Sequence, residues 1–319
     1  MNERNQKKTN RKSLLGVILA AALAGAGYGV YNVSQSGDEL PADVNGGYVV
    51  ESSAERNARY KAKEELKEED LDINLREAPS EGLSRRTYES LEQPAPITDR
   101  QEMLIYKTQF IISYNLDTKC PNYVCWSLTP DRTKGNVERT DSFMGDPVLT
   151  PSARVETSDY LGSGYDRGHM CPAGDNKNDK TAMMESFFMT NVCPQAHKLN
   201  KGDWNDLEQM CRRWAKNYGP LYICCGPIFD KKNPRTIGKR KEMRIAVPDR
   251  FFKVILSMGR VPMAIGFIYP NNDTDKDIRD YAVSVDKVEK ITGLDFFFQL
   301  PDDEEKELES VCNPAAWNL

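Results

Sequence analysis

From Ile97 onward the chain alternates apolar runs with short polar breaks, and the period of each run predicts its element. The segments "MLIYKTQFIISYNLD" and "YVCWSLTP" are rich in β-branched and aromatic residues, and the "TKCPN" between them predicts a hairpin. "DKTAMMESFFMTN" predicts a short helix running into a buried strand. In "DWNDLEQMCRRWAKNYG", Trp204, Leu207, Met210, Cys211 and Trp214 recur three and four apart and Gly219 follows, the pattern of an amphipathic helix with a stop signal. Downstream, "PLYICCGPIF", "EMRIAVPDRFFKVILSM" and "VPMAIGFIYPN" predict strands and turns, and "SVDKVEKITGL" predicts a helix. Elements in this order, without βαβ repeats, predict an α+β domain on a mixed β-sheet core over residues 97–319.

The first 96 residues break that pattern. "MNERNQKKTNRKS" sets five bases against Glu3 alone, and the stretch from Leu14 to Val33 is uncharged. A basic opening before an apolar segment predicts a signal peptide or N-terminal membrane anchor over residues 1–33. Ala22 and Ala24 offer a small-residue cleavage site, while the uncharged length matches the ~20 residues of a spanning helix. The run is not followed by a cysteine, so a lipoprotein is not expected. Either outcome predicts an extracytoplasmic protein: periplasmic, secreted, or tethered to the membrane by its N-terminus. Residues 34–96 hold 15 acids and 8 bases, few large apolar residues and the Pro-rich exit "EQPAPITDR", which predicts a charged, flexible linker.

Cysteine and charge refine the picture. Eight cysteines (Cys120, Cys125, Cys171, Cys193, Cys211, Cys224, Cys225 and Cys312) fit an oxidising compartment, with connectivity left open. A buried free cysteine is equally well a small hydrophobe. Residues 97–319 carry 30 bases and 32 acids, which excludes a generic high-pI polyanion binder. Yet "KKNPRTIGKRKEMR" (231–244) sets seven bases against Glu242, so Lys239, Arg240 and Lys241 are candidate substrate-binding residues; a solvated loop is the plainer alternative.

The candidate chemistry centres on "YDRGHMCPAGDN", which holds one of only two histidines. Strand alternation would send Arg167 and His169 to one face and Asp166 and Gly168 to the other, and Gly168 would leave room for a substrate beside the imidazole. A histidine with an ordinary pKa near 6.5 can accept a proton from water at neutral pH. Downstream, Asn200 stands where a helix cap is expected, and Glu208 and Arg212 are four apart on one helix face, where an ion pair would be ordinary. A structural zinc site from His169, Cys171, Cys193 and His197 is an alternative, but the spacings do not match common zinc patterns and leave the arginines idle. "GSGYDRG" lacks the glycine spacing of a dinucleotide loop.

The ordered combination of "ERTDSFMGDP", "YDRGH", "FFMTNVCPQ", "LNKGDWNDLEQMCRRW" and "IAVPDRFFKVIL" resembles the DNA/RNA non-specific endonuclease family, endonuclease G-like nucleases with the ββα-metal (His-Me) finger, over about residues 97–310. The resemblance implies His169 as general base, Asn200 as ligand of a single divalent ion, and Glu208 as the acid that holds metal-bound water. It implies Arg139 and Arg212 near the scissile phosphate, with Arg132 and Arg154 as less well matched alternatives to Arg139. Asn191 would support the site, Arg167 would lie near phosphate, and Asp166 would support the loop. The cofactor implied is Mg²⁺, with Mn²⁺ or another divalent cation as substitutes. The partners implied are DNA and RNA, with a homodimer also compatible. The expectation is an exported, sugar-nonspecific phosphodiesterase, and a catalytically silent nucleic-acid-binding module on the same fold is the alternative.

Overall fold

The computed structural model describes residues 30–33, 49–52, 90–272 and 276–319. In chain order the strands are β1 (Val30–Val33), β2 (Val49–Ser52), β3 (Met103–Tyr106), β4 (Ile111–Asn115), β5 (Cys120–Leu128), β6 (Asp166–His169), β7 (Val192–Gln195), β8 (Leu221–Ile228), β9 (Thr236–Ile237), β10 (Ile245–Ala246), β11 (Arg250–Ser257), β12 (Met263–Pro270) and β13 (Ala282–Val283). The α-helices are α1 (Lys180–Ser186), α2 (His197–Lys201), α3 (Asp203–Tyr218), α4 (Val285–Thr292) and α5 (Asp302–Ser310).

One sheet dominates, in the order β13-β12-β11-β8-β5-β4-β3-β1-β2. Every pairing from β3 to β13 is antiparallel, and the parallel pairing in the sheet is β1 with β2. The domain is therefore α+β, and its sheet, antiparallel from β3 to β13, is mixed only at the β1–β2 edge. The first β-rich run also divides: β3 and β4 form their own hairpin before the expected β4–β5 hairpin.

Period-two alternation along the central strands builds two cores. Val124, Trp126, Ile223, Cys225, Phe251 and Ile255 pack on one face, with Trp204, Leu207, Cys211 and Trp214 of α3. Tyr123, Cys125, Cys224, Phe252, Val254 and Leu256 pack on the other, with Val285 and Val288 of α4 and Leu91 and Ile97. Burial on both faces explains why β8 and β11 read as nearly continuous apolar runs. Lys253 alone breaks the β11 run. Fully buried on the first face, its Nζ lies 4.3 Å from the Trp204 ring centroid and 5.4 Å from that of Trp126.

On that first face a second, two-stranded sheet pairs Asp166 with Gln195 and His169 with Val192. It runs into α2 and α3, giving a β-β-α unit laid against the main sheet. Helix α3 is amphipathic as its spacing predicts, and it ends at Gly219, whose φ of 92° is open to glycine at little cost.

Residues 1–29 of the expected leader, and 34–48 and 53–89 of the expected linker, lie outside the described residues. Val30–Val33 pairs with β3, and among the described residues no helix is long and apolar enough to cross a membrane. All eight cysteines are free and seven are buried, so the cysteine count is a matter of packing rather than of cross-links.

Arg132 locks the end of β5 to the loop after β6. It is 6 % exposed and donates to the carbonyls of Asp175 (3.0 Å), Gln109 (2.9 Å) and Ser127 (2.5 Å) and to Asn176 Oδ1 (2.7 Å). Removing it strands several buried acceptors, each costing roughly 1–3 kcal/mol and less than additively. Arg132→Met is expected to lose about 3–5 kcal/mol in urea unfolding; a loss under about 1 kcal/mol would show that the network adds little.

Candidate active site

The β-β-α unit opens onto a cleft of about 770 Å³ that brings together Arg139, Arg167, His169, Asn200, Glu208 and Arg212 from four separate stretches of chain. With Lys201 and Asp166 the lining holds four permanent cations and two carboxylates, so the cleft is locally positive in a chain of net charge −5.

The imidazole of His169 is held by aromatic rings rather than by a carboxylate. Its centroid is 4.9 Å from that of Phe143 and 5.0 Å from that of Phe187, the latter edge-on at 88°. Each phenylalanine also meets an arginine: Arg167 Cζ lies 4.3 Å from the Phe143 centroid and Arg139 Cζ 5.2 Å from that of Phe187. Burial, then the charge of Arg139 and to a lesser extent Arg167, push the His169 pKa down to about 3, against the pull of Asp141. His169 is 9 % exposed, and its Nε2 has no hydrogen-bond partner among the described residues. The ring is therefore neutral at physiological pH.

Gly168 has a different task from the one its sequence context suggests. A Cβ there would lie 2.2 Å from Gln195 Oε1, so the missing side chain admits Gln195 across the β6–β7 pair and not a substrate.

Asn200 does not cap α3, whose N-cap is Gly202 without a side-chain bond; it lies inside α2. Its Nδ2 donates to Asp166 Oδ2 at 2.9 Å, and His197 Nδ1 meets the same carboxylate at 3.0 Å. Because an ionised carboxylate only accepts, Asp166 fixes the amide with Nδ2 toward itself and Oδ1 turned away. That oxygen and the carboxylate of Glu208 are hard donors of the kind that suit Mg²⁺, Mn²⁺ or Ca²⁺.

Glu208 and Arg212 line the same face of α3 with Asn205, yet the expected ion pair between them is absent among the described residues. Arg212 Nη1 donates instead to Oδ1 of Asp175 at 2.9 Å, and Asp175 Oδ2 accepts from Trp126 Nε1 at 3.1 Å. Asp175 is 1 % exposed and lies within the "CPAGDN" turn. Nothing in the sequence singled it out, although an acid between glycine and asparagine after a Cys-Pro turn is an unusual occupant of a core. Gly174 leaves room beside it for the guanidinium, since a Cβ there would meet Arg212 Nη1 at 2.8 Å and displace it. Burial pushes the Glu208 carboxyl up to about 7 despite the opposing charges of Lys253 and Arg212.

The remaining candidates divide. Asn191 is fully buried and does not line the cleft. It accepts from Cys171 N (2.9 Å) and donates to the carbonyls of Cys171 and Ser186 (2.8 Å each), so it clamps the turn after His169 rather than touching reacting groups. Cys171 is thereby accounted for: its backbone is held by Asn191 and its thiol is buried in the core. The zinc arrangement does not form, because Cys171 and Cys193 point into the core while His197 is exposed at Asp166. Of the three upstream arginines, Arg139 reaches the cleft; Arg132 is buried in the network above and Arg154 pairs with Glu156 at 2.8 Å.

The basic stretch 231–244 is a hairpin through β9 and β10. Arg240 is not a free cation, since it pairs with the buried carboxylate of Asp159 and donates to the Arg154 carbonyl at 2.7 Å. Lys239 and Lys241 are exposed, and neither lines the cleft. Arg235, which sequence reasoning passed over, is the member that approaches it, with Cζ 5.5 Å from the ring of the cleft residue Tyr165.

Comparison with known proteins matches this geometry to a family. The model of the DNA/RNA non-specific endonucleases matches residues 89–303. A mitochondrial nuclease EXOG of Xenopus laevis is 34% identical over 222 residues, covering 65% of this chain and 61% of that protein. The mitochondrial nuclease of Saccharomyces cerevisiae is 34% identical over 237 residues, covering 67% and 70%. Among solved structures, a crystal structure of an EndoG/EndoGI complex superposes with a TM-score of 0.58 at 29% identity, over 62% of this chain and 86% of that one. The chain thus spans less than two thirds of the length of the EXOG relative.

Those relatives overturn the extracytoplasmic placement, since they are named as mitochondrial nucleases, and they lend no support to a signal peptide, secretion or a membrane anchor. A basic opening with a single acid misleads because organelle transit peptides share it. The family model spans residues 89–303 and takes in every residue of the cleft, so the chain belongs to the DNA/RNA non-specific endonucleases.

Proposed function

We propose that the chain is a divalent-metal-dependent, sugar-nonspecific endonuclease that hydrolyses phosphodiester bonds in DNA and RNA. The observation that carries this reading is a neutral histidine with an unpartnered nitrogen, set in a positive cleft beside an outward-facing amide oxygen. His169 acts as general base and takes a proton from water at a ring nitrogen. Arg139, Arg167 and Arg212 hold phosphate oxygens, and Asp175 keeps the Arg212 fork in place.

Asn200 Oδ1 would hold the cation and the Glu208 carboxylate the water around it, with Mg²⁺ the expected ion. When bound, it supplies charge neutralisation for the phosphate and the leaving oxygen. The two arginines that make an imidazolium costly in the free protein are those a phosphate neutralises, so substrate binding itself raises the basicity of His169. None of these groups needs a ribose 2′-hydroxyl, which supports activity on both nucleic acids.

With supercoiled plasmid and RNA as substrates, His169→Ala is expected to cut about 10²–10⁴-fold more slowly than the parent while still binding. Equal rates would remove His169 from the base role, and a parent that binds but never cuts would favour the silent module. His169 also links stability to pH. An unfolded histidine protonates below about 6.5 while the folded ring resists to about 3, so stability is complete above 6.5 and drains as pH falls toward 3. Replacing it with Gln should narrow the stability difference between pH 7.5 and pH 4 by about 3 kcal/mol in denaturant titrations.

Asn200→Ala should shift the Mg²⁺ concentration for half-maximal cleavage upward by at least about tenfold; an unmoved titration curve would exclude it as a ligand. For the basic hairpin, Arg235→Ala should lower the salt slope of DNA binding by about one, whereas the pair Lys239→Ala and Lys241→Ala should change it less. A larger effect of the lysine pair would restore the original assignment.

A further inference from the structure

A second cluster of ionisable groups lies on the opposite face of the main sheet. Asp286 and Glu289 stand one turn apart on α4, Glu309 comes from the last turn of α5, and one carboxylate oxygen from each lies within 4.8 Å of the other two. Asp286 is exposed and Glu289 half-buried, but Glu309 is 4 % exposed, and its Oε1 is buried without a hydrogen-bond partner among the described residues. A buried carboxyl group set against two further carboxylates is costly to ionise, so in the free protein burial and the neighbouring acids push Glu309 up to about 9. A cation between the three groups would remove that cost.

The side chains nearby do not supply it. None of the three acids has an ion pair among the described residues, and the charged groups that act most strongly on Glu309 are Glu289, Glu305, Asp295 and Asp286, all acids. The one polar contact is made at the edge of the cluster, where Glu289 Oε1 accepts from the Phe296 amide at 2.8 Å. Oxygens opposed across a Ca²⁺ ion bound at 2.3–2.6 Å are about 4.6–5.2 Å apart, so the observed spread is one that a single calcium-sized ion can bridge. The outward side, where Asp286 is exposed, is open to the waters such an ion retains.

We propose that Asp286, Glu289 and Glu309 form a second divalent-cation site, of calcium type, that staples α4 to α5. The site is separate from the catalytic cleft and acts on stability rather than on phosphodiester chemistry. It holds the two helices that cover the second core, and neither Asn200 nor Glu208 takes part.

The test uses the full chain carrying Asn200→Ala, so that the cleft contributes little metal binding. After EDTA treatment and removal of the chelator, the protein is titrated with CaCl₂ by calorimetry and melted with and without the ion. One bound Ca²⁺ per chain is expected, with a rise in Tm of about 5 °C at a hundredfold excess over Kd. In the same background Glu309→Gln should weaken binding at least tenfold and abolish the Ca²⁺-dependent rise. In EDTA it should melt no lower than its parent, because it removes a buried acid from among acids, and this separates loss of the site from loss of the fold. Coincident melting curves with and without Ca²⁺ would overturn the proposal, as would unaltered binding in Glu309→Gln. Cleavage by a protein with native Asn200 is expected to be unaffected by Glu309→Gln, so failure of this site leaves the nuclease reading standing.

Discussion

The structure turns on one buried carboxylate. Asp175 takes the indole N–H of Trp126 from the centre of the main sheet with one oxygen and the Arg212 guanidinium from the site helix with the other, while its carbonyl receives Arg132. Trp126 and Arg132 come from β5 and its exit, and Arg212 from the helix laid over the sheet. Without Asp175 the indole and the guanidinium would both be stranded, and the turn after β6 would lose the carboxylate that ties it to both the sheet and α3. Fixed polar partners of this kind give position as well as stability, and position is what phosphate recognition by arginine requires.

Around that anchor the cleft sorts its charges by burial. His169 is kept neutral by aromatic walls and flanking guanidinium groups, and Glu208 is driven toward neutrality by burial. Lys253, sealed under Trp126 and Trp204, is a fixed positive charge that no solvent ion replaces, and it acts on Glu208 from below. In the free protein the imidazole is therefore neutral while the acid on α3 is poised between its two forms.

The sequence made the local order legible, because helix α3 and the central strands follow simple periods and Gly219 marks a helix end. It also carried the site's members, since His169, Asn200, Glu208 and Arg212 fall in one ordered segment. What it concealed depends on partners distant in the chain. Asp175 gains its meaning from Trp126, Gly168 from Gln195 and Gly174 from Arg212, and no local pattern announces such pairs. The Glu208–Arg212 spacing suggested an ion pair that the buried Asp175 displaced. Arg240 looked like a free base until the fold set it against Asp159. The antiparallel order of the sheet was hidden for the same reason, since β5 and β8 are neighbours in space and far apart in sequence.

That adjacency has a kinetic side. Leu128 at the end of β5 pairs with Leu221 at the start of β8, and the whole β-β-α unit, with every cleft residue, lies in the loop of chain between them. The centre of the sheet cannot zip until that long loop closes, and closing it costs entropy before any pairing repays it. Assembly of the cleft and completion of the sheet are thereby coupled, because a chain that has not yet joined β5 to β8 lacks the sheet against which the β-β-α unit packs.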